Sequence, residues 1–318
     1  MKKTLKLPKN FNLMKKSIFL QLFNFLIITS FFLSCNSSDT EKEINILRDS
    51  IKINQNIHLT SNTDIPYILP SPAQVAILYK KAGLKYYDHL TINTNDVQKY
   101  ANDNEYSSAF YLGMFTADLA YCMLNQQVEN SKNFYKASKL LADKIGLLQI
   151  FDNKTIIERI DRNILHQDSI ISILSNLQSE IEDVLIKEHK EYISPIAFAG
   201  AWIESIYIAA SVYEKSEQKD INYKLMFEQI LIAKNLIKAL NSIKTNDIFL
   251  NQITNDIQSI YDLFFQLNSV KDLVKNNDIE DVDFSKLSLK SSEIKTLIEQ
   301  IKNIRNHYCP KYFSKINK

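Results

Sequence analysis

Glycine is scarce in this chain: four residues in 318, at positions 83, 113, 146 and 200. None forms an Asn-Gly or Asp-Gly turn, and no run alternates apolar and polar residues for long, which argues against hairpins and β-sheet. The same scarcity excludes a phosphate-cradling glycine loop and a Gly-x-Ser-x-Gly nucleophile elbow. Three cysteines (Cys35, Cys122, Cys309) are too few for a disulfide-built scaffold. Of six prolines, Pro66, Pro70 and Pro72 fall within seven residues and forbid a helix there. The five histidines (His58, His89, His166, His189, His307) include no i,i+3 or i,i+4 pair and no His-Glu-x-x-His, so no metal site and no cofactor are expected.

Charge of one sign is also missing. The chain has 38 basic and 36 acidic residues. Residues 1–34 hold six lysines and no acid, so the remainder carries 32 basic and 36 acidic residues and a net charge of −4. No basic stripe is left for a nucleic acid, and none is expected as a partner.

The longest apolar run, Ser17 to Ser34, follows Lys15-Lys16 and is broken by Gln21, Asn24 and Thr29. It is short for a membrane span. A positive n-region, a short apolar core and a small residue before a cut mark a cleaved signal. The run ends in Phe32-Leu33-Ser34-Cys35 and gives way at once to Asn36-Ser-Ser-Asp-Thr-Glu-Lys-Glu43. This resembles the lipobox of a bacterial envelope lipoprotein, with Phe32 where leucine is more usual. The resemblance implies cleavage before Cys35 and acylation of that residue on sulfur and nitrogen. Several acyl chains hold a protein at a membrane durably, where one does not. Asn36 is not the aspartate that retains lipoproteins at the inner membrane in the best-known sorting rule. By resemblance, therefore, the expected location is the outer membrane, facing the periplasm or the cell surface. Met14 opens a compact signal by itself, and translation is expected to start there.

Three regions are expected: a lipoprotein signal over 1–34; a lipidated cysteine, flexible tether and proline-rich connector over 35–70; and a single all-helical domain over 71–318. The fold class read from the sequence is all-α, a helical bundle or stacked helical hairpins with roughly eight or nine helices. The pattern predicts helices over Pro72–Leu90, Glu105–Asn125, Lys132–Ile145, Pro195–Tyr213, Tyr223–Ile243, Asp247–Val274 and Ser292–Tyr308. Lys154–Lys190 reads as one long helix or as two broken near His166. Ser194-Pro195 has the form of an N-cap followed by proline at the first helical position, and Gly146 reads as a C-cap. Pro195–Tyr213 is apolar nearly all round and should be central.

Two stretches resemble each other. Ala109-Phe-Tyr-Leu-Gly and Ala197-Phe-Ala-Gly each lead to an aromatic two residues past the glycine (Phe115, Trp202) and then to one isolated acid (Asp118, Glu204). They suggest two related hairpins about 87 residues apart, although the Ala-Phe pairs slip by one when the glycines are aligned. Leu112-Gly113 is similar to the first helix of a tetratricopeptide unit, but Thr116 replaces the expected aromatic and no 34-residue period recurs.

Asp118 and Glu204 are the sharpest candidates for chemistry, because a carboxylate among apolar neighbours must be paired or shift its pKa. Tyr111, Tyr121, Trp202 and Tyr207 are the residues expected to line a cavity shared by the two acids, which would make a small-molecule site. The alternative is that each acid serves as an acceptor inside the fold. Nine of the 16 tyrosines lie between Tyr67 and Tyr135, as ligand-stacking groups or as core residues with their hydroxyls at the rim. Without a catalytic motif, the function expected is a non-enzymatic, lipid-anchored module that binds another envelope protein. The second reading is a small-ligand-binding lipoprotein, and the third an enzyme using the same two acids.

Overall fold

A computed structural model of the chain describes residue 80 and residues 83–152, 154–215, 219–275 and 286–310. All fall within the compact unit Asp49–Lys318. The lipobox, the tether and the proline connector lie outside the described residues.

The fold is all-α, with no strand among the described residues. Two 3₁₀ turns (Asp88–Leu90, Thr94–Asp96) precede α1 (Val97–Tyr100). Then come α2 (Glu105–Leu124), α3 (Val128–Asp143), α4 (Leu148–Phe151), α5 (Lys154–Asn163) and α6 (Gln167–Lys187). The second half comprises α7 (Ile193–Lys215), α8 (Lys219–Ser242), α9 (Ile248–Gln266), α10 (Asn268–Val274) and α11 (Ser291–Tyr308). Eight of these helices have ten or more residues, and the other three have four to seven.

The centre is the pair α2 and α7. From Ser107 to Leu124 every side chain of α2 is buried except Thr116, whose hydroxyl donates to Gly113 O at 2.9 Å. In α7 burial runs without interruption from Phe198 to Val212. Helices apolar on all sides can only be stable surrounded by others. α3 packs on α2, α8 on α7, α9 on α8, and α11 on both α7 and α9, while α5 and α6 pair beside α3. α7 is long and apolar enough to cross a membrane, but 89% of its most apolar window is buried within the fold.

Local signals explain the helix ends. Asn104 caps α2 by accepting from Ser107 N at 2.8 Å, and Asp247 caps α9 by accepting from Leu250 N at 2.8 Å. The two caps also bond each other, Asn104 Nδ2 to Asp247 Oδ2 at 2.9 Å. At the other end, α2, α3 and α6 finish in the same Schellman geometry. Gln127, Leu147 and Lys190 N–H reach back five residues to the carbonyls of Cys122, Ala142 and Leu185, at 2.9, 2.8 and 2.8 Å. The residue before each donor is left-handed: Gln126 (φ 61°), Gly146 (φ 82°) and His189 (φ 56°). Gly146 is thus the C-cap expected, and Gln126 and His189 hold the same conformation against a steric penalty that glycine does not incur. His189 is exposed. His189→Gly is expected to stabilise the protein by about 0.5–1 kcal/mol, read as a higher urea midpoint at an unchanged slope.

α3 and α8 start at Val128 and Lys219, each four residues ahead of the expected Lys132 and Tyr223, and the structure departs from the expected boundaries in three further places. Gly83–Tyr87 is not helical and Leu90 closes a 3₁₀ turn, so the helix expected over Pro72–Leu90 does not reach its predicted end. Ile193, not Pro195, starts α7, which puts Ser194-Pro195 inside the first turn, where a missing N–H costs nothing. The helix expected over Asp247–Val274 is two, broken at Leu267, whose backbone is extended (φ −62°, ψ 136°). The break is held by Glu293 of α11, which accepts from Ser269 N at 3.0 Å, from Ser269 Oγ at 2.6 Å and from Lys290 N at 2.9 Å. Lys154–Lys190 is the two-helix version of the expectation, with its break at 164–166.

Candidate functional site

The two glycines set the geometry of the interior. A Cβ on Gly113 would stand 1.7 Å from Ala197 O and 2.9 Å from Ala201 N, and one on Gly200 would stand 1.9 Å from Phe110 O and 3.1 Å from Met114 N. The contacts are reciprocal: each glycine meets the residue three before and the residue one after the other glycine. Helices related by a local two-fold rotation touch in this way, with Gly113 equivalent to Gly200. α2 and α7 run in the same direction. Glu105 bonds Lys190 and Tyr192 at the start of the pair, and Ala117, Tyr121 and Leu124 share a crevice with Ser205 and Ile208 towards its end. Phe115 and Trp202 are equivalent under this relation. Asp118 and Glu204 are one residue out of step: the equivalent of Asp118 is Ser205, and that of Glu204 is Ala117. The two acids therefore leave their helices in different directions and serve different partners.

Glu204, fully buried, meets Arg305 of α11, itself 1% exposed. The pair is bidentate, Arg305 Nε donating to Oε2 and Nη2 to Oε1, both at 2.9 Å. Two parallel charge-assisted bonds are the strong form of this contact. Arg305 Nη1 also donates to Cys309 O at 3.1 Å, and its guanidinium lies 4.4 Å from the centre of the Tyr207 ring. Burial works against the guanidinium's charge, but the Glu204 carboxylate outweighs it and holds Arg305 protonated beyond its usual range.

Asp118, also fully buried, accepts from the backbone N–H of Ile92 at 2.7 Å. Ile92 lies in the non-helical segment ahead of α1. Tyr121, three residues on, takes the same segment twice: its hydroxyl donates to Lys85 O at 2.7 Å and accepts from Tyr87 N at 2.9 Å. The remaining candidates are engaged elsewhere. Trp202 Nε1 donates to Gln229 O of α8 at 2.9 Å. Tyr111 donates to Tyr308 O at 3.1 Å and stacks on Tyr100 with ring centres 4.4 Å apart. Of the six candidates, then, Glu204 and Tyr207 meet around Arg305, Asp118 and Tyr121 meet around the N-terminal segment, and Trp202 and Tyr111 each face another partner.

The interior is electrostatically connected. Burial pushes the Tyr207 hydroxyl up, Arg305 pulls it down, and Glu204 and Asp118 push it further up. The Cys309 thiol, raised chiefly by burial and lowered again by Arg305, sits at about 12. Cys122 is raised well above the usual thiol range, first by burial and then by Asp118. Both cysteines are free and buried, and at neutral pH neither is a nucleophile, because the thiolate is the reactive form.

Arg305 is the member of this cluster that the sequence did not suggest. Two signals in the sequence could have found it. Arginine is rare, with Arg48, Arg159, Arg162 and Arg305 the only four. Arg305 also falls in register with Ile301 and Tyr308, on the apolar stripe of α11. Among the described residues no group of three or more His, Cys, Asp or Glu side chains could hold a metal ion. One crevice, with room for about one water, lies between Lys80, Leu84, the end of α2 and Ser205 of α7. It includes Tyr121 but neither acid. No family model, no curated protein and no solved structure matches the chain.

Proposed function

We propose that this is a lipid-anchored envelope protein whose helical domain binds another envelope protein, without catalysis. One observation carries this reading. The carboxylate best placed for chemistry, Glu204, is locked bidentate onto a buried arginine whose third nitrogen donates to Cys309 O and whose flat face lies over the Tyr207 ring. A carboxylate so held neither shuttles a proton nor meets a ligand. Asp118 in turn holds a backbone N–H of its own chain. Glu204 is thus engaged by the fold through both oxygens and Asp118 through Oδ2, which favours recognition at the outer faces of the helices. The anchor rests on the Phe32-Leu33-Ser34-Cys35 resemblance, and the outer membrane on Asn36. The ligand-binding alternative, with a pocket near Asp118, Glu204 and Trp202, has no comparable support.

Two experiments test the proposal. Cells fed an alkyne fatty acid are expected to label the wild-type protein and not Cys35→Ala, with the label in the membrane fraction. Equal labelling of both would remove the anchor. A tagged, Cys35-bearing protein purified from gently solubilised envelopes is expected to bring one envelope protein with it in near-stoichiometric amount. A solitary protein carrying a small molecule would favour the pocket instead.

A further inference from the structure

The segment from Gly83 to Asn93 behaves as a separate part of the molecule. Outside one 3₁₀ turn it has no regular structure, and its backbone makes few bonds to itself. What holds it is chiefly a ladder of side chains on one face of α2, joined by Asn130 of α3 and Lys215 of α7. Asp118 takes Ile92 N–H, Tyr121 takes Tyr87 N–H and Lys85 O, and Asn125 Oδ1 accepts from Lys80 Nζ at 3.0 Å. Positions 118, 121 and 125 follow an i, i+3, i+7 spacing, so the rungs stack along the helix, and the segment climbs them antiparallel to α2. Leu84, Leu90 and Ile92 are buried between the rungs, while Lys85, Asp88 and His89 face outward. Tyr86 closes one side, accepting from Asn130 Nδ2 of α3 at 2.8 Å, with Cys122 Sγ 3.8 Å from its hydroxyl. Lys215, at the end of α7, lies 4.7 Å from the centre of the Tyr87 ring.

We propose that residues 83–93 form a releasable strap, latched on α2 by Asp118 and Tyr121, that opens while the helical core stays folded. The contrast in anchorage carries the inference. Every core helix is fixed by its own backbone ladder and by packing on two or more neighbours, whereas among the described residues the strap hangs on side-chain bonds from α2, α3 and α7, those of Asn130 to Asp88 and of Lys215 to His89 included, and on three buried apolar residues. Segments of that kind open at lower free energy than the whole molecule. Opening uncovers the rung residues, the Cys122 thiol and the wall of the crevice beside Ser205. In chain order the strap lies ahead of the second 3₁₀ turn and α1, so its release would lengthen the connection from the N-terminal region without unfolding an α-helix. The proposal stands on the α2 contacts alone, whether or not Cys35 is acylated.

Amide hydrogen exchange on the full chain at low urea tests it, comparing Tyr87 and Ile92 with Ile203 and Ile206 in α7. The strap amides are expected to exchange at least 100-fold faster than the α7 amides, with little urea dependence. Tyr121→Phe is expected to speed the strap amides on the order of tenfold, through loss of the hydroxyl's bonds, and to leave α7 unchanged. Asp118→Asn should act in the same direction, and Tyr121→Phe keeps the test usable if that variant fails to fold. In a Cys35→Ser background, labelling of Cys122 by a thiol reagent should accelerate in parallel in Tyr121→Phe. Strap and α7 amides exchanging together, at one rate and one urea dependence, would overturn the proposal. So would a Tyr121→Phe variant that speeds both equally or neither.

Discussion

Arg305→Met is expected to destabilise the protein by about 3–5 kcal/mol, because it strands the Glu204 carboxylate in an interior that excludes water. A loss of that size is a large fraction of the net stability of an ordinary domain, so the variant should unfold at much lower urea. Glu204→Met strands the guanidinium instead and should cost a similar amount. The double variant Glu204→Met/Arg305→Met leaves no orphaned charge. Replacing a buried ion pair by apolar side chains of similar volume is often neutral or stabilising, so the double variant should recover most of the loss. Urea unfolding of the four proteins gives the coupling directly. Single losses below about 1 kcal/mol, the scale of an exposed pair, would mean that water reaches the site.

The second large effect belongs to the helix crossing. Gly113→Ala puts a methyl group 1.7 Å from Ala197 O, and Gly200→Ala puts one 1.9 Å from Phe110 O. In both cases the obstacle is backbone, so no side chain can turn aside and the two central helices must separate. Alanine gains about 1 kcal/mol of helix propensity over glycine, and the overpacking outweighs it. We expect each variant to lose about 3 kcal/mol or more. The double variant should lose less than the sum, since one separation relieves both clashes. Thermal or urea midpoints check this, and unchanged midpoints would show that α2 and α7 do not cross at these glycines.

How far the sequence disclosed this structure depended on where the information lay. The all-α class followed from local signals: few glycines, no hairpin turns and apolar residues at helical spacing. The central place of α7 followed from its composition, whereas the pattern over Lys154–Lys190 allowed one helix as well as two broken near His166. The repeat was visible as two Gly-x-aromatic stretches, and the structure gives it a geometric meaning in the reciprocal contacts of Gly113 and Gly200. What was hidden is what distant residues decide. The course of residues 83–93 is set by Asp118 and Tyr121, about 30 positions later, and local propensity over Pro72–Leu90 pointed to helix instead. Glu204 stood out as an isolated acid, yet its partner comes from a helix 101 residues on. The one-residue offset between Asp118 and Glu204 decided that the acids do different work, and it became meaningful only once the glycines were known to be the equivalent positions.

The central claim is that the buried acids serve the fold and that function lies on the outer faces of the helices. Its most direct test combines the Glu204→Met/Arg305→Met variant with purification from gently solubilised envelopes. The account predicts that the folded double variant and the wild type bring down the same envelope protein in the same near-stoichiometric amount. A folded double variant that loses the partner, or a wild type that carries a small molecule lost by the variant, would contradict it and return function to the interior.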